Sequence, residues 1–252
     1  MLSMVREREF MRVADLSHIF GISEVTVRAD LAQLADHGLL QRVHGGAIVR
    51  DPEPRTERTF EEAMDQYAGE KAGIGRHAAS LIRSGETIIL DVGTSTTSLA
   101  RALVERTDLT DVTVFTSSLT IALELEPAIP QLAVVVTGGT LRPRQHSLVD
   151  PMAGYIFTNI NASTAFIGCN GVHPESGVTN VNLPEASMKR KMVAAAQRTV
   201  VVADGSKLGN ISVVKVADLD DIDQLITGPS APVEVVEALS SRGVAVEIAE
   251  PD

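Results

Sequence analysis

Four apolar runs in this chain end in loops of glycine and small polar residues: DVGTSTT (91–97), TSS (116–118), TGG (137–139) and GCNG (168–171). The first has the chemistry of an anion site. Gly93 permits a tight turn, and Thr94, Ser95, Thr96 and Thr97 supply hydroxyls. A helix starting there adds free backbone N–H groups and a partial positive charge, which suit a phosphate. Ser117, Gly138, Gly139, Asn170 and Gly171 occupy the other three loops. GTST is not a P-loop, because no lysine follows it; alone it reads equally well as an ordinary helix start. A second cluster, SEVTVRADL at 23–31, suits DNA. Ser23 is an N-cap whose hydroxyl accepts an N–H at a helix start. Val27, Leu31 and Leu34 form one apolar stripe, while Thr26, Arg28 and Gln33 show side chains that reach phosphates or base edges.

The elements that must hold these residues follow from periodicity. Residues 24–37 read as a helix ended by Gly38 at C′. Short strands are expected at 39–42 and 47–49 around a His44-Gly45-Gly46 hairpin tip, with Arg42 and His44 placed to contact the DNA backbone. Residues 1–20 are expected to supply the preceding helices, with Val13, Leu16, Ile19 and Phe20 on a buried face. RDPEPRTER (50–58) is charged, and Pro52 and Pro54 disfavour helix, so it reads as a linker. A connecting helix over 59–69 would carry Phe60, Met64 and Tyr67 on one side. Beyond it, helices at 70–82, through 100–103, at 118–126, 183–196 and 232–241 alternate with strands. The strands fall at 87–91, 112–116, 132–136, 164–168, 199–203, 213–214, 224–227 and 244–248. That alternation predicts an α/β domain with a mainly parallel sheet covered on both faces. In such a sheet a ligand sits outside the carboxyl ends of the strands, where the four loops lie. Three regions result: 1–50 with the DNA-suited helix and hairpin, 51–69 as linker and connecting helix, and 70–252 as the α/β domain.

Composition narrows the function classes. Net charge is −11, yet residues 1–58 hold eight Lys and Arg against nine Asp and Glu, so the deficit lies in the remainder. DNA binding would rest on Arg28, Arg42, Arg50 and helix N-termini rather than on a broad basic face. No apolar run approaches the roughly 18 residues of a membrane span. Arg6, Glu7, Arg8 and Glu9 stand where a signal peptide would be apolar. Cys169 is the single cysteine, so neither a disulfide nor a cysteine metal site is expected, and a cytoplasmic setting fits. Cys169 reads as a small buried hydrophobe. His18 and His77 read as helix surface or packing residues, and His146 and His173 lack metal-ligand spacing. No metal and no cofactor are expected.

SEVTVRADL followed by LLQRVHGGA resembles the winged helix-turn-helix of the DeoR family of bacterial sugar-metabolism regulators. EKAGIGRHAASLIRSGETIILDVGTSTTSLARAL (70–103) is similar to that family's sensor domain, and the likeness runs through VVVADGSKLG near the end. The resemblance implies a sensor fold related to ribose phosphate isomerase. It implies Lys71 and the 93–97 loop as phosphate ligands, and Asp91, Asn170, Lys189 and Lys207 as sugar-contacting or pocket residues. Three departures stand out. The isomerase's catalytic glutamate position falls on Lys189, its loop aspartate on Asn170, and SLVD (147–150) replaces the family's SLVG. A lysine and an amide can grip a phosphosugar but cannot replace a carboxylate pair that moves a proton. Glu185, one turn upstream, could substitute geometrically, which leaves weak turnover open. The segment before the helix-turn-helix is shorter than in the family. A late-assigned start or a less stable domain would follow, with apolar surface exposed around Leu2, Met4 and Val5.

These readings converge on a transcription repressor of sugar or polyol genes, and not an enzyme. Ser23, Thr26, Arg28, Arg42, His44 and Gly45 would meet operator DNA. A phosphorylated sugar in the larger domain would release it. Homodimers or homotetramers are expected, because two-fold DNA sites mirror dimers. Two alternatives differ in class: an isomerase-like enzyme with a vestigial DNA module, and a DNA-binding architectural protein with a dead sensor.

Overall fold

The computed structural model describes residues 1, 4–5, 10–36, 40–43, 45–48 and 57–251. The chain divides into two compact units, Met1–Thr56 and Glu57–Asp252. The predicted Gly38 C-cap, His44 and the 50–56 part of the linker lie outside the described residues.

In the first unit, β1 (Phe10–Arg12) leads into α1 (Val13–Phe20) and α2 (Glu24–Asp36), then β2 (Gln41–Val43) and β3 (Gly46–Ile48). The strands form an antiparallel sheet in the order β1-β3-β2. β1 adds a strand to the stretch expected to supply the preceding helices, and of the face expected to be buried Val13 and Leu16 are buried whereas Ile19 and Phe20 are exposed. Met11 alternates inward between exposed Phe10 and Arg12, so this stretch follows a strand period of two. Val5 is fully buried with Met11, Leu16, Val27, Leu31 and Ala47, which corrects its expected exposure. Apolar contacts of Val5 and Met11 thus complete the small core.

The second unit centres on a seven-stranded parallel sheet. Its strands are β4 (Thr87–Leu90), β5 (Val112–Thr116), β6 (Leu132–Val136), β9 (Ala162–Ile167), β12 (Ala196–Val202), β14 (Gln224–Thr227) and β15 (Ala245–Ile248). The order is β15-β14-β12-β9-β4-β5-β6. Along β4, Ile88 and Leu90 enter one core with Ile74, Leu99 and Phe166, while Ile89 enters the opposite one with Phe157, Met188 and Met192. Helices α4 (Ala68–Ser80), α5 (Thr94–Val104) and α6 (Leu119–Leu125) cover the first face, and α7 (Met152–Phe157) and α8 (Leu183–Ala194) the second. Helix α9 (Val233–Ser241) completes a third apolar cluster through Leu239. α4 and α5 approach so closely that a Cβ on Gly75 would stand 2.5 Å from the Ser98 carbonyl carbon. Only glycine fits there.

Several elements differ from the sequence reading. The expected helix over 59–69 is broken: α3 spans Phe60–Met64, and Tyr67 takes φ 55° before α4 begins. Phe60 is buried and Tyr67 exposed, so the two do not share a face. The strand expected at 213–214 is β13 (Val214–Ala217), and it leaves the parallel sheet. It pairs antiparallel with β11 (Gly177–Asn180), which also pairs with β10 (Gly171–His173). A hairpin of β7 (Thr140–Arg142) and β8 (Ser147–Val149) and helix α7 fill a stretch that the sequence left without elements.

Candidate functional site

The start of α2 stands as the cap chemistry requires. The Thr26 amide donates to Ser23 Oγ at 3.1 Å, and the two hydroxyls lie 2.9 Å apart. Arg28 and Glu24 form an exposed ion pair at 2.6 Å. Thr26, Arg28, Gln33, Arg42 and Gly45 are exposed, and His44 lies outside the described residues. Val25 was not singled out by sequence; it is 73% exposed in the first turn of α2. Its only signal was a hydrophobe off the buried stripe. Ser23→Ala is expected to cost α2 about 1 kcal/mol. Hydrogen exchange of the 24–31 amides checks this, with protection falling about fivefold; unchanged protection would contradict it.

In the larger unit, the chain runs from β4 outward through β5 and β6, then returns to β9 on the other side and continues outward through β12, β14 and β15. The gap between the carboxyl ends of β4 and β9 is therefore a topological switch point. Asp91 follows β4 and Gly168 follows β9. Asp91 Oδ2 accepts the Gly168 N–H at 3.0 Å and pairs with the Lys189 ammonium, which also donates to the Gly168 carbonyl at 3.0 Å. Asp91 and Lys189 are 0% and 2% exposed. Asp91 Oδ1 is buried and finds no hydrogen-bond partner among the described residues. Burial pushes the Asp91 carboxyl up, and the Lys189 charge opposes this.

Beside this pair, Gly93 is the N-cap of α5 and offers no side-chain cap, so the first amides of that helix depend on other partners. The hydroxyls of Thr96 and Thr97 donate to the Gly93 carbonyl at 2.9 and 2.8 Å, which turns them onto the helix itself. Gly93 and Thr94 are half-buried, whereas Ser95 and Thr96 are buried.

Lys71 is 3% exposed, and its ammonium donates to the carbonyls of Ala63 and Gln66, closing the end of α3. Burial pushes its pKa down to about 8, against the attraction of Asp204. Lys207 lies 3.9 Å from Asp204 at the carboxyl end of β12 and is half-buried. Glu70, which the sequence did not single out, accepts the Gly205 N–H at 2.9 Å and the Ser230 hydroxyl at 2.8 Å. It ties the loops after β12 and β14 to α4.

Glu185 is buried and accepts the Ser147 hydroxyl at 2.8 Å and the Arg142 guanidinium. Its charge also acts on Asp91. Ser117 is buried and its carbonyl accepts the Leu148 N–H at 2.8 Å. Gly138 and Gly139 have φ of 66° and 120°, and Gly139 packs against Val149 and Ala153. Asn170 is exposed; its Oδ1 accepts the Val181 N–H, while Gly171 is buried at the start of β10. The structure thus joins Asp91 with Lys189 and groups Lys71 with Lys207 around Asp204, while Gly138, Gly139 and Asn170 make their contacts elsewhere. Cys169 has its thiol pushed up to about 12 by burial, so it stays protonated at neutral pH. Among the described residues no group of three or more His, Cys, Asp or Glu is arranged to hold a metal ion. No helix among them is long and apolar enough to cross a membrane.

Two cavities lie away from the switch point. One of about 190 Å³ sits between α4 and α5 beside Ala72 and Ala102. One of about 510 Å³ is an open groove at the amino end of β12, beside Arg190 and Asp223.

Residues 1–53 match the DeoR-like helix-turn-helix domain, and residues 66–229 match the DeoR C terminal sensor domain. The HTH-type transcriptional regulator GlpR of Haloferax volcanii is 36% identical over 97% of this chain and 94% of its own length. The glycerol-3-phosphate regulon repressor of Escherichia coli K12 is 24% identical over 98% of this chain and 96% of its own. Among solved structures, ribose 5-phosphate isomerase A from Methanocaldococcus jannaschii is similar with a TM-score of 0.40 and 19% identity, over 54% of this chain and 52% of that one.

Proposed function

Because the chain belongs to the DeoR family of DNA-binding transcription regulators, we propose that it represses genes of sugar or polyol metabolism and leaves its operator when a phosphorylated sugar intermediate enters the β4/β9 crevice. The observation that carries the sensor half is the buried Asp91 Oδ1, without a partner among the described residues, beside the N-terminus of α5, which has no side-chain cap. A sugar hydroxyl satisfies the first, and a phosphate satisfies the second. Thr26 and Arg28 enter the major groove, and Arg42 and Gly45 place the wing, with His44 assigned to the wing on sequence alone. Val25 offers methyl groups to a thymine methyl. The protein acts in the cytoplasm as a homodimer or homotetramer.

Binding without turnover is the reading the carboxylates support. Asp91 Oδ2 is held by Lys189, and Glu185 Oε1 by Arg142 and Ser147, so each carboxylate is already engaged through one oxygen. A coupled assay with ribose 5-phosphate tests this: steady product formation overturns it. A band-shift titration with the protein's own upstream DNA tests the regulator itself. Binding relieved by one phosphosugar is the expected result, and no binding at low salt contradicts it. By linkage, operator DNA must weaken that ligand by the same factor.

Lys71 gives this site a pH dependence with a definite sign. Its ammonium is held down to about 8, so it loses its charge as pH rises through that value. A phosphate ligand is already largely dianionic near pH 7. Affinity for the phosphosugar is therefore expected to fall between pH 7 and about 9 in calorimetric titrations. Lys71→Arg stays charged over this range and should flatten the curve. An equal fall in that variant would remove Lys71 from the site.

A further inference from the structure

We infer that Arg142 is a positioning residue that couples the effector crevice to the segment leading into the DNA-binding unit; this deepens the phosphosugar reading and rests on it. Arg142 lies at the end of β7, and its guanidinium is shared between two carboxylates, one buried and one half-buried. One terminal nitrogen donates to Glu185, and the other donates to Glu57 at 2.5 Å. Both ion-pair partners are largely shielded, with side chains 7% and 13% exposed. Glu185 stands one turn before Lys189 on α8, and its charge acts on Asp91, so it lies near the Asp91–Lys189 pair. Glu57 is the first residue of the larger unit and follows the first unit directly in sequence.

The rest of the hairpin grips the same segment. Arg144 donates to the Glu57 carbonyl, and Gln145 donates to the Arg58 carbonyl at 2.6 Å. His146 stacks on Phe60 with ring centroids 5.6 Å apart and lies 3.3 Å from Glu61. The hairpin is itself tied to the chain leaving the carboxyl end of β5: the Ser117 carbonyl accepts the Leu148 N–H at 2.8 Å, the His146 carbonyl accepts the Leu119 N–H at 3.0 Å, and Ser118 bridges Ser147 antiparallel. One short hairpin therefore touches Glu185, beside the Asp91–Lys189 pair, and the opening residues 57–61 of the larger unit. A ligand that draws Glu185 toward a sugar hydroxyl loosens its hold on the guanidinium and shifts the balance at Glu57. A lysine cannot reproduce this, because it presents a point charge rather than a planar fork with two usable edges.

The test uses the full-length protein without any phosphosugar. Trypsin cleavage after Arg58 is followed by mass spectrometry in wild type, Glu57→Gln, Glu185→Gln and the double variant. Operator affinity is measured alongside on the protein's upstream DNA. Coupling through Arg142 predicts that Glu185→Gln alone speeds cleavage at Arg58 about tenfold. The double variant should go little beyond either single one, the non-additivity of a shared partner. Arg142→Ala and Arg142→Lys should both match the double variant, and operator affinity should shift by a common factor. Cleavage at the wild-type rate in Glu185→Gln, or fully multiplicative effects, overturns the inference. Should Glu185→Gln fail to fold, Ser147→Ala replaces it, since that change weakens the same carboxylate's setting. An operator complex that no phosphosugar relieves would sink the effector reading and leave the cleavage result standing.

Discussion

Lys189→Met is expected to lower unfolding free energy by about 3–5 kcal/mol, the cost of leaving one member of a buried ion pair alone. Lys189 supplies the ammonium that Asp91 Oδ2 faces, and Asp91 Oδ1 has no partner to fall back on among the described residues. Gly168 N–H remains as a single donor. The Asp91–Lys189 double replacement by Asn and Met should recover most of the loss, because a neutral pair of similar volume removes both charges from the interior. The loss should also depend on pH. Burial already raises the Asp91 pKa, and removing the ammonium raises it further. A carboxyl with a folded pKa above its unfolded value stabilises at low pH and loses that contribution as pH rises through the folded value. The single variant should thus fall further behind wild type at pH 8 than at pH 5. Urea unfolding at the two pH values checks it. A single variant within 1 kcal/mol of wild type at pH 8 would show that the pair is not sealed from water.

Arg28→Ala is expected to weaken operator binding by about 1–3 kcal/mol per half-site, with fold stability almost unchanged. Its ion pair with Glu24 is exposed on both sides, so its loss costs well under 1 kcal/mol of stability. The change separates two roles. A base contact would relax specificity at one position, whereas a phosphate contact would weaken all sequences alike and lower the salt slope by about 1. Anisotropy titrations with matched and mismatched duplexes at three salt concentrations distinguish these. Unchanged affinity would place α2 outside the groove.

Local patterns were the legible part of this fold. The Ser23 cap, the Val27–Leu31 stripe and the strand at 112–116 are written in residues a few positions apart, and the structure places each where that spacing puts it. The alternation along β4 likewise follows from three consecutive apolar residues between two cores. What sequence could not show depends on distant partners. Asp91 and Lys189 are 98 positions apart, and Arg142 and Glu57 are 85 apart; no periodicity links such pairs. β7 and β8 are three residues each and flank a Pro143 turn, too short for a period of two to register. Lys71 illustrates a different limit: its position was legible from the family likeness, but its bonds to Ala63 and Gln66 arise from a helix break at Tyr67 that no residue type announced.

The most direct test of the account is an anisotropy titration of full-length protein against its own upstream DNA, with and without a panel of phosphosugars that includes glycerol 3-phosphate and ribose 5-phosphate. The account predicts binding that weakens steeply with salt and is relieved by one member of the panel but not by its unphosphorylated sugar. Equal affinity for upstream and unrelated DNA, unchanged by every phosphosugar, would contradict it.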